Sequence, residues 1–161
     1  MTPLAWIVGL LLPACGAPGA AGLPVPAPMD LAKLHRPNSP NTALAAPPGT
    51  TPTPDITTPA YPVPAANLYQ AVVDVALSQP RTFLAASYPV ERQAHFVARS
   101  AWLNFPDLVT AQVGELGPDT STLTLYSRSV YGYSDLGVNR QRLTTWLDAL
   151  QSKINPTGER H

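Results

Sequence analysis

The run Leu108-Val109-Thr110-Ala111-Gln112-Val113-Gly114-Glu115-Leu116, the break Gly117-Pro118-Asp119 and the run Thr122-Leu123-Thr124-Leu125-Tyr126-Ser127-Arg128-Ser129-Val130 decide the fold class. Val109, Ala111 and Val113 oppose Leu108, Thr110 and Gln112, and Leu123 and Leu125 oppose Thr124, Tyr126 and Arg128. In a strand successive side chains point to opposite faces, so each run carries one apolar face, and the turn formers between them make an antiparallel hairpin. Two more strand-type runs precede it, Thr82 to Tyr88 and Gln93 to Leu103. In the second, Phe96, Ala98, Ser100 and Trp102 oppose Val97, Arg99 and Ala101.

Working outward, residues 64–79 read as an amphipathic helix, with Leu68, Val72, Val75 and Ala76 on one face. Pro64 suits the first helical position, where its missing amide would be unpaired anyway, and Pro80 ends the helix by restricting the residue before it. Leu143, Trp146, Leu147, Leu150 and Ile154 recur at helical spacing behind the cap candidates Ser134, Asp135 and Gly137. The expected fold is α+β, a small antiparallel sheet of about four strands with an N-terminal and a C-terminal helix packed on one face, in the order α-β-β-β-β-α over residues 64–155. Thr110, Gln112, Thr124, Tyr126 and Arg128 belong to the opposite face.

The first part of the chain has a different composition. Fifteen of the 20 prolines lie in residues 1–64, with only four charged residues, Asp30, Lys33, Arg36 and Asp55. Residues 16–63 therefore read as an extended, semi-rigid spacer, since proline fixes φ and lacks an amide proton. The island from Leu34 to Asn41 reads as a turn docked on the domain. Residues 1–15 read as an export signal: the apolar run Leu4 to Leu12 is far shorter than the roughly 20 residues that span a bilayer, and small residues follow it at once. Leu12-Pro13-Ala14-Cys15 resembles a bacterial lipobox, which makes Cys15 a lipidation candidate; the alternative is ordinary cleavage within Ala17 to Gly22. Cys15 is the only cysteine, so no intrachain disulfide is expected.

Ten basic against ten acidic side chains, with 12% of residues charged, supply no basic field for nucleic acid. There is no zinc-type cysteine and histidine pairing, phosphate loop or carboxylate pair suited to acid and base work, so no metal or cofactor is expected. The polar chemistry is concentrated between Tyr126 and Arg142. Arg140 and Arg142 stand near a helix start, where the macrodipole disfavours cations, so Asp135, Asp107 or an external anion should compensate them. One reading is an internal Arg–Asp network; the other is an anion-binding rim. Gly132-Tyr133-Ser134-Asp135-Leu136 also comes near the hydrolase elbow Gly-x-Ser-x-Gly, with Leu136 in place of the second glycine, and would need His95 brought to Ser134 by the fold.

Tyr126-Ser127-Arg128-Ser129, Tyr131-Gly132-Tyr133-Ser134-Asp135-Leu136-Gly137-Val138-Asn139-Arg140, Arg99-Ser100 ahead of Phe105-Pro106-Asp107, and Arg36-Pro37-Asn38-Ser39-Pro40-Asn41 together resemble the blocks of the bacterial domain-of-unknown-function family 1499. The resemblance covers roughly residues 36–150. It implies an exported or envelope-associated protein and supplies no reaction, substrate or catalytic residue. Members often carry cysteines around Ala45 to Thr50, where this chain has none.

The expected function is a noncatalytic envelope protein that binds a small anionic ligand or a protein partner through Arg99, Arg128, Tyr133, Ser134, Asp135, Asn139 and Arg140. It would be an outer-membrane lipoprotein facing the periplasm, anchored through Cys15, or a soluble periplasmic protein. The alternative is a hydrolase acting through Ser134 or Asp135.

Overall fold

A computed structural model describes residues 13–155. A one-turn helix, Pro13–Gly16, and a 3₁₀ turn, Leu31–Lys33, precede strands β1 (Thr42–Ala46) and β2 (Ile56–Thr57). Helix α1 (Ala65–Ser78), strands β3 (Thr82–Tyr88), β4 (Gln93–Arg99), β5 (Pro106–Gly117) and β6 (Thr120–Ser129), and helix α2 (Val138–Ile154) follow. The result is an α+β fold.

The strands form one six-stranded sheet in the order β2-β1-β6-β5-β4-β3. Every neighbouring pair is antiparallel except β1 and β2, which run parallel. The sheet is thus larger than the four-stranded one expected, and mixed. The two additional strands come from the segment read as a spacer. Thr42-Ala43-Leu44-Ala45-Ala46 is short, alanine-rich and bounded by prolines, so it carries little strand propensity of its own. Pairing with β6 makes it a strand, and four of its five residues are buried.

Both long helices cover the same face. Leu68, Val72 and Val75 of α1 and Leu143, Trp146 and Leu150 of α2 form one core with Phe96, Val109, Val113, Leu123 and Leu125. The Trp146 ring meets Phe96 edge-on with centroids 5.5 Å apart. Pro64 does not occupy the first helical position. It stands one residue earlier with extended ψ, and its carbonyl accepts from Asn67 and Leu68.

The other face is covered as well, which explains why all seven residues of β4 are buried. Residues 14–34 lie across it. The Tyr88 hydroxyl donates to the Pro26 carbonyl at 2.7 Å, and the Gln93 amide both accepts from Met29 N at 2.6 Å and donates to Met29 O at 2.8 Å. Leu31 packs on Leu44, Ala46 and Tyr126 in a second apolar cluster. An extended proline-rich chain has no internal hydrogen bonds, so its carbonyls are free to accept from the sheet's polar side chains. Among the described residues no helix is long and apolar enough to cross a membrane; the expected signal run Leu4 to Leu12 lies outside them.

Candidate functional site

The start of α2 is held by a buried polar network. Asn139, the second residue of the helix, is fully buried; its side-chain nitrogen donates to Asn41 O and Ser129 Oγ, each at 2.9 Å. Its Oδ1 accepts from the Ser127 hydroxyl and, at 2.8 Å, from Arg142. Arg142 also donates to Ser127 Oγ at 3.0 Å and closes a 2.6 Å ion pair with Asp107. The two-residue period of β5 and β6, in the register Asp107 opposite Ser129 and Val109 opposite Ser127, puts all these side chains on the helix side. The misplaced cation of α2 is therefore answered from within, by a carboxylate on β5.

Asp135 has a separate task. Its two carboxylate oxygens accept from Gly137 N at 3.0 Å and Asn139 N at 2.7 Å, so it caps α2 from two residues upstream of the helix boundary. Gly137, at φ +83°, has no side chain to do so. The Asn41 side chain donates to Gly132 O at 2.6 Å, tying residues 36–41 to this loop, and Arg36 pairs with Asp55 at 2.8 Å.

The same end of the sheet carries an open cleft of about 460 Å³ between the 100–105 and 130–138 loops. Phe105, Tyr131, Leu136 and Val138 line it with the hydroxyls of Ser100 and Ser134. The Phe105 and Tyr131 rings stand 6.4 Å apart between centroids. Asp107 and Asp135 also border it, and both are already engaged.

Arg99 points to the opposite face of the sheet. It is buried, and its guanidinium donates to four main-chain carbonyls: Ala14 at 2.7 Å, Gly19 at 2.6 Å, Ala21 at 2.8 Å and Asn104 at 3.1 Å. Asn104 adds bonds to Cys15 O at 2.6 Å and Ala17 O at 3.1 Å. Burial lowers the Arg99 pKa, with the adjacent Cys15 opposing that shift and Arg81 reinforcing it. Burial likewise pushes the Cys15 thiol up, against the pull of Arg99. Cys15 is fully enclosed here, so acylation of its sulfur requires the segment to lift away.

The remaining expected residues are dispersed. Arg128 is half-buried on the far face and lines a cavity of about 300 Å³ with Leu23, Pro24, Val25 and Pro26. Arg140 is exposed on the first turn of α2, with a long 3.4 Å bond to Asp55 O. Tyr133 is exposed, and Ser134 Oγ accepts from Leu136 N at 3.3 Å. His95 is buried on the far face, its Nδ1 bonded to Thr110 Oγ1 at 3.0 Å and its Nε2 without a partner among the described residues. Tyr133, Ser134, Asp135, Asn139 and Arg140 thus share one loop and helix start, while Arg99 and Arg128 stand across the sheet. Asn104, Phe105, Tyr131 and Leu136 were not among the binding residues expected from sequence, although Tyr131 and Leu136 lie in the segment singled out, Leu136 as an apolar residue inside a polar string. No group of three His, Cys, Asp or Glu side chains that could hold a metal occurs among the described residues.

No match is found among curated proteins. Among solved structures the chain is similar to a solution NMR structure of a protein from Thermobifida fusca, at 10% identity and TM-score 0.46, covering 74% of this chain and 97% of that one. It is also similar to the di-domain ARO/CYC BexL, at 16% identity and TM-score 0.45, covering 63% of this chain and 46% of that one. A third similar structure, from Thermus thermophilus, has 9% identity and TM-score 0.40 over 73% of this chain and 99% of that one. No property of this chain follows from likenesses so distant. The family profile matches residues 33–150, a span that holds the whole sheet, α1, all but the last four residues of α2 and the loop network, and the chain belongs to the family described as Protein of unknown function (DUF1499).

Proposed function

We propose that this protein is an exported, noncatalytic component of the bacterial cell envelope that binds a partner through the sheet end formed by the 100–105 and 130–138 loops. The observation that carries this reading is how the loop's charged groups are used. Arg142 and Asp107 neutralise each other, Asp135 caps a helix and Arg99 clamps the chain's own N-terminal segment. What remains open is the largely apolar cleft with a few hydroxyls, with Arg140 exposed outside it. Of the two partner classes the sequence allowed, a small anion loses support and a partner that meets an apolar face gains it. A hydrolase reading has no supporting geometry, since Ser134 has neither a histidine nor a carboxylate as a hydrogen-bond partner among the described residues.

Export and anchoring are tested by mass spectrometry of the protein recovered from its native membrane fraction. An acylated Cys15 at the mature N-terminus is the expected result for a tethered protein. A chain beginning within Ala17 to Gly22 would instead make it soluble and periplasmic, and an intact Met1 would overturn the export reading.

A further inference from the structure

We infer that the partner of this sheet end is a lipid surface: the 100–105 and 130–138 loops form the face that the protein lays on an anionic bilayer. The inference rests on the binding role proposed above for the same loops and adds the class of partner. Three independent observations converge on it.

The first is an apolar and aromatic rim. Trp102, Tyr133, Leu136 and Val138 are 79%, 74%, 94% and 50% exposed, the first three on two loops that leave the sheet at the same end, after β4 and after β6, and Val138 at the first position of α2, where the second loop ends. Leu136 is held at φ +54°, a conformation that favours glycine, with nearly all of its side chain in water. A leucine there is unfavourable twice, in backbone and in hydration, and burial in another phase removes the second cost. A tryptophan and a tyrosine at the same end of the sheet suit the boundary between headgroups and acyl chains.

The second is where the chain enters the fold. Arg99 and Asn104 grip the carbonyls of Ala14, Cys15, Ala17, Gly19 and Ala21, so the first described residues are pinned to this end of the sheet. The apolar run Leu4 to Leu12 immediately precedes them in sequence. A membrane-inserted element ahead of the clamped segment would thereby be tethered to the end of the sheet that carries the Trp102 and Leu136 loops.

The third is charge. Arg81 and Arg140 are exposed at this end, while its carboxylates, Asp107 and Asp135, are committed to Arg142 and to the amides of α2. Asp135 keeps its charge in that cap, but with Asp107 spent on Arg142 the cations Arg81 and Arg140 outnumber it, so a chain of zero net charge presents a net positive end beside its apolar rim, the pairing that anionic headgroups attract.

The test uses the full-length chain with Cys15→Ser, which removes acylation, and Trp6→Phe, which leaves exposed Trp102 and core Trp146 as reporters. It is mixed with vesicles of phosphatidylethanolamine and phosphatidylglycerol whose acyl chains are brominated. The expected result is co-flotation with quenching of Trp102 emission, about tenfold weaker in a Tyr133→Ser, Leu136→Ser variant and unchanged in a Val90→Ser, Leu116→Ser variant at the opposite end. Vesicles of phosphatidylcholine alone should bind more weakly. Absence of flotation would overturn the inference and leave a protein partner for the cleft. Flotation with Trp102 unquenched, meaning attachment by the leader alone, would overturn it too, as would an unaffected Leu136 variant or equal binding to phosphatidylcholine. An intact Met1 in the native protein defeats the export reading without altering any of these outcomes.

Discussion

Replacing Asp107 with asparagine keeps the shape of the side chain and removes its charge, leaving Arg142 as a largely buried cation with no carboxylate. The two side chains are 11% and 14% exposed and 2.6 Å apart, so water screens the pair little. Breaking a buried pair from one side costs about 3 to 5 kcal/mol. Arg142 keeps its bonds to Ser127 and Asn139, and the asparagine oxygen still accepts a hydrogen bond, which brings the expected loss down to roughly 2 to 3 kcal/mol. The assay is urea unfolding followed by circular dichroism, where the midpoint should fall while the slope stays constant. Arg142→Met removes the other partner, and the double variant should be less destabilised than the sum of the singles by about 2 kcal/mol. A loss below about 0.5 kcal/mol for Asp107→Asn, or strict additivity in the cycle, would refute the argument that the pair holds α2 on the sheet.

Three further outcomes are expected. Arg99→Lys keeps the charge but cannot reach four carbonyls, so amide hydrogen exchange in residues 14–22 should accelerate at least about tenfold, with little change in the β5–β6 hairpin; unchanged protection would show that the clamp does not hold the segment. His95 is buried with Nε2 unpaired, and burial lowers its pKa from 6.5. Its contribution is fully present above pH 6.5, where the unfolded imidazole is also neutral, and is lost as pH falls below 6.5 toward the lowered folded value, because the unfolded chain takes up the proton first. Unfolding free energies measured from neutral to mildly acidic pH should therefore fall more steeply for the parent than for His95→Gln, and parallel curves would exclude His95 as the source. Asp135→Ala should destabilise by about 1 kcal/mol through loss of the cap, whereas Asp135→Asn, itself a good capping residue, should cost only a few tenths; thermal unfolding distinguishes the two.

Local pattern sufficed wherever a structural decision is made by neighbours in sequence. Thr82 to Tyr88 reads as a strand from its own residues and is one, and the Gly117-Pro118-Asp119 turn closes the hairpin between runs that alternate on their own. The 64–79 helix is bounded by two prolines whose effect is local. Strand β1 was illegible because Thr42 to Ala46, alanine-rich and set between prolines, carry no distinctive pattern; the strand it pairs with along most of its length, β6, lies 80 or more residues away. Residues 100–103 extend the alternation of β4 yet leave the sheet, because Ser100 N turns to Phe105 O and no longer pairs with β5.

The candidate site divides along the same line. Its location near Tyr126 to Arg142 follows from composition and from a macrodipole conflict, both properties of the sequence alone. The allocation of its charges follows from which face of the sheet each side chain occupies. Arg99 and Arg128 share an arginine-rich composition with Arg140 and Arg142 but stand on the other side of β4 and β6, where the proline-rich segment supplies carbonyls and cover. Sequence determined the class of fold, the hairpin, both long helices and the family, since periodicity and motif strings are written locally. Only the tertiary structure decided that Arg142 answers to Asp107, that the proline-rich segment closes the second face of the sheet, and that Trp102, Leu136 and the N-terminal segment meet at one end. Those outcomes depend on strand order and register, which bring together residues no local pattern relates.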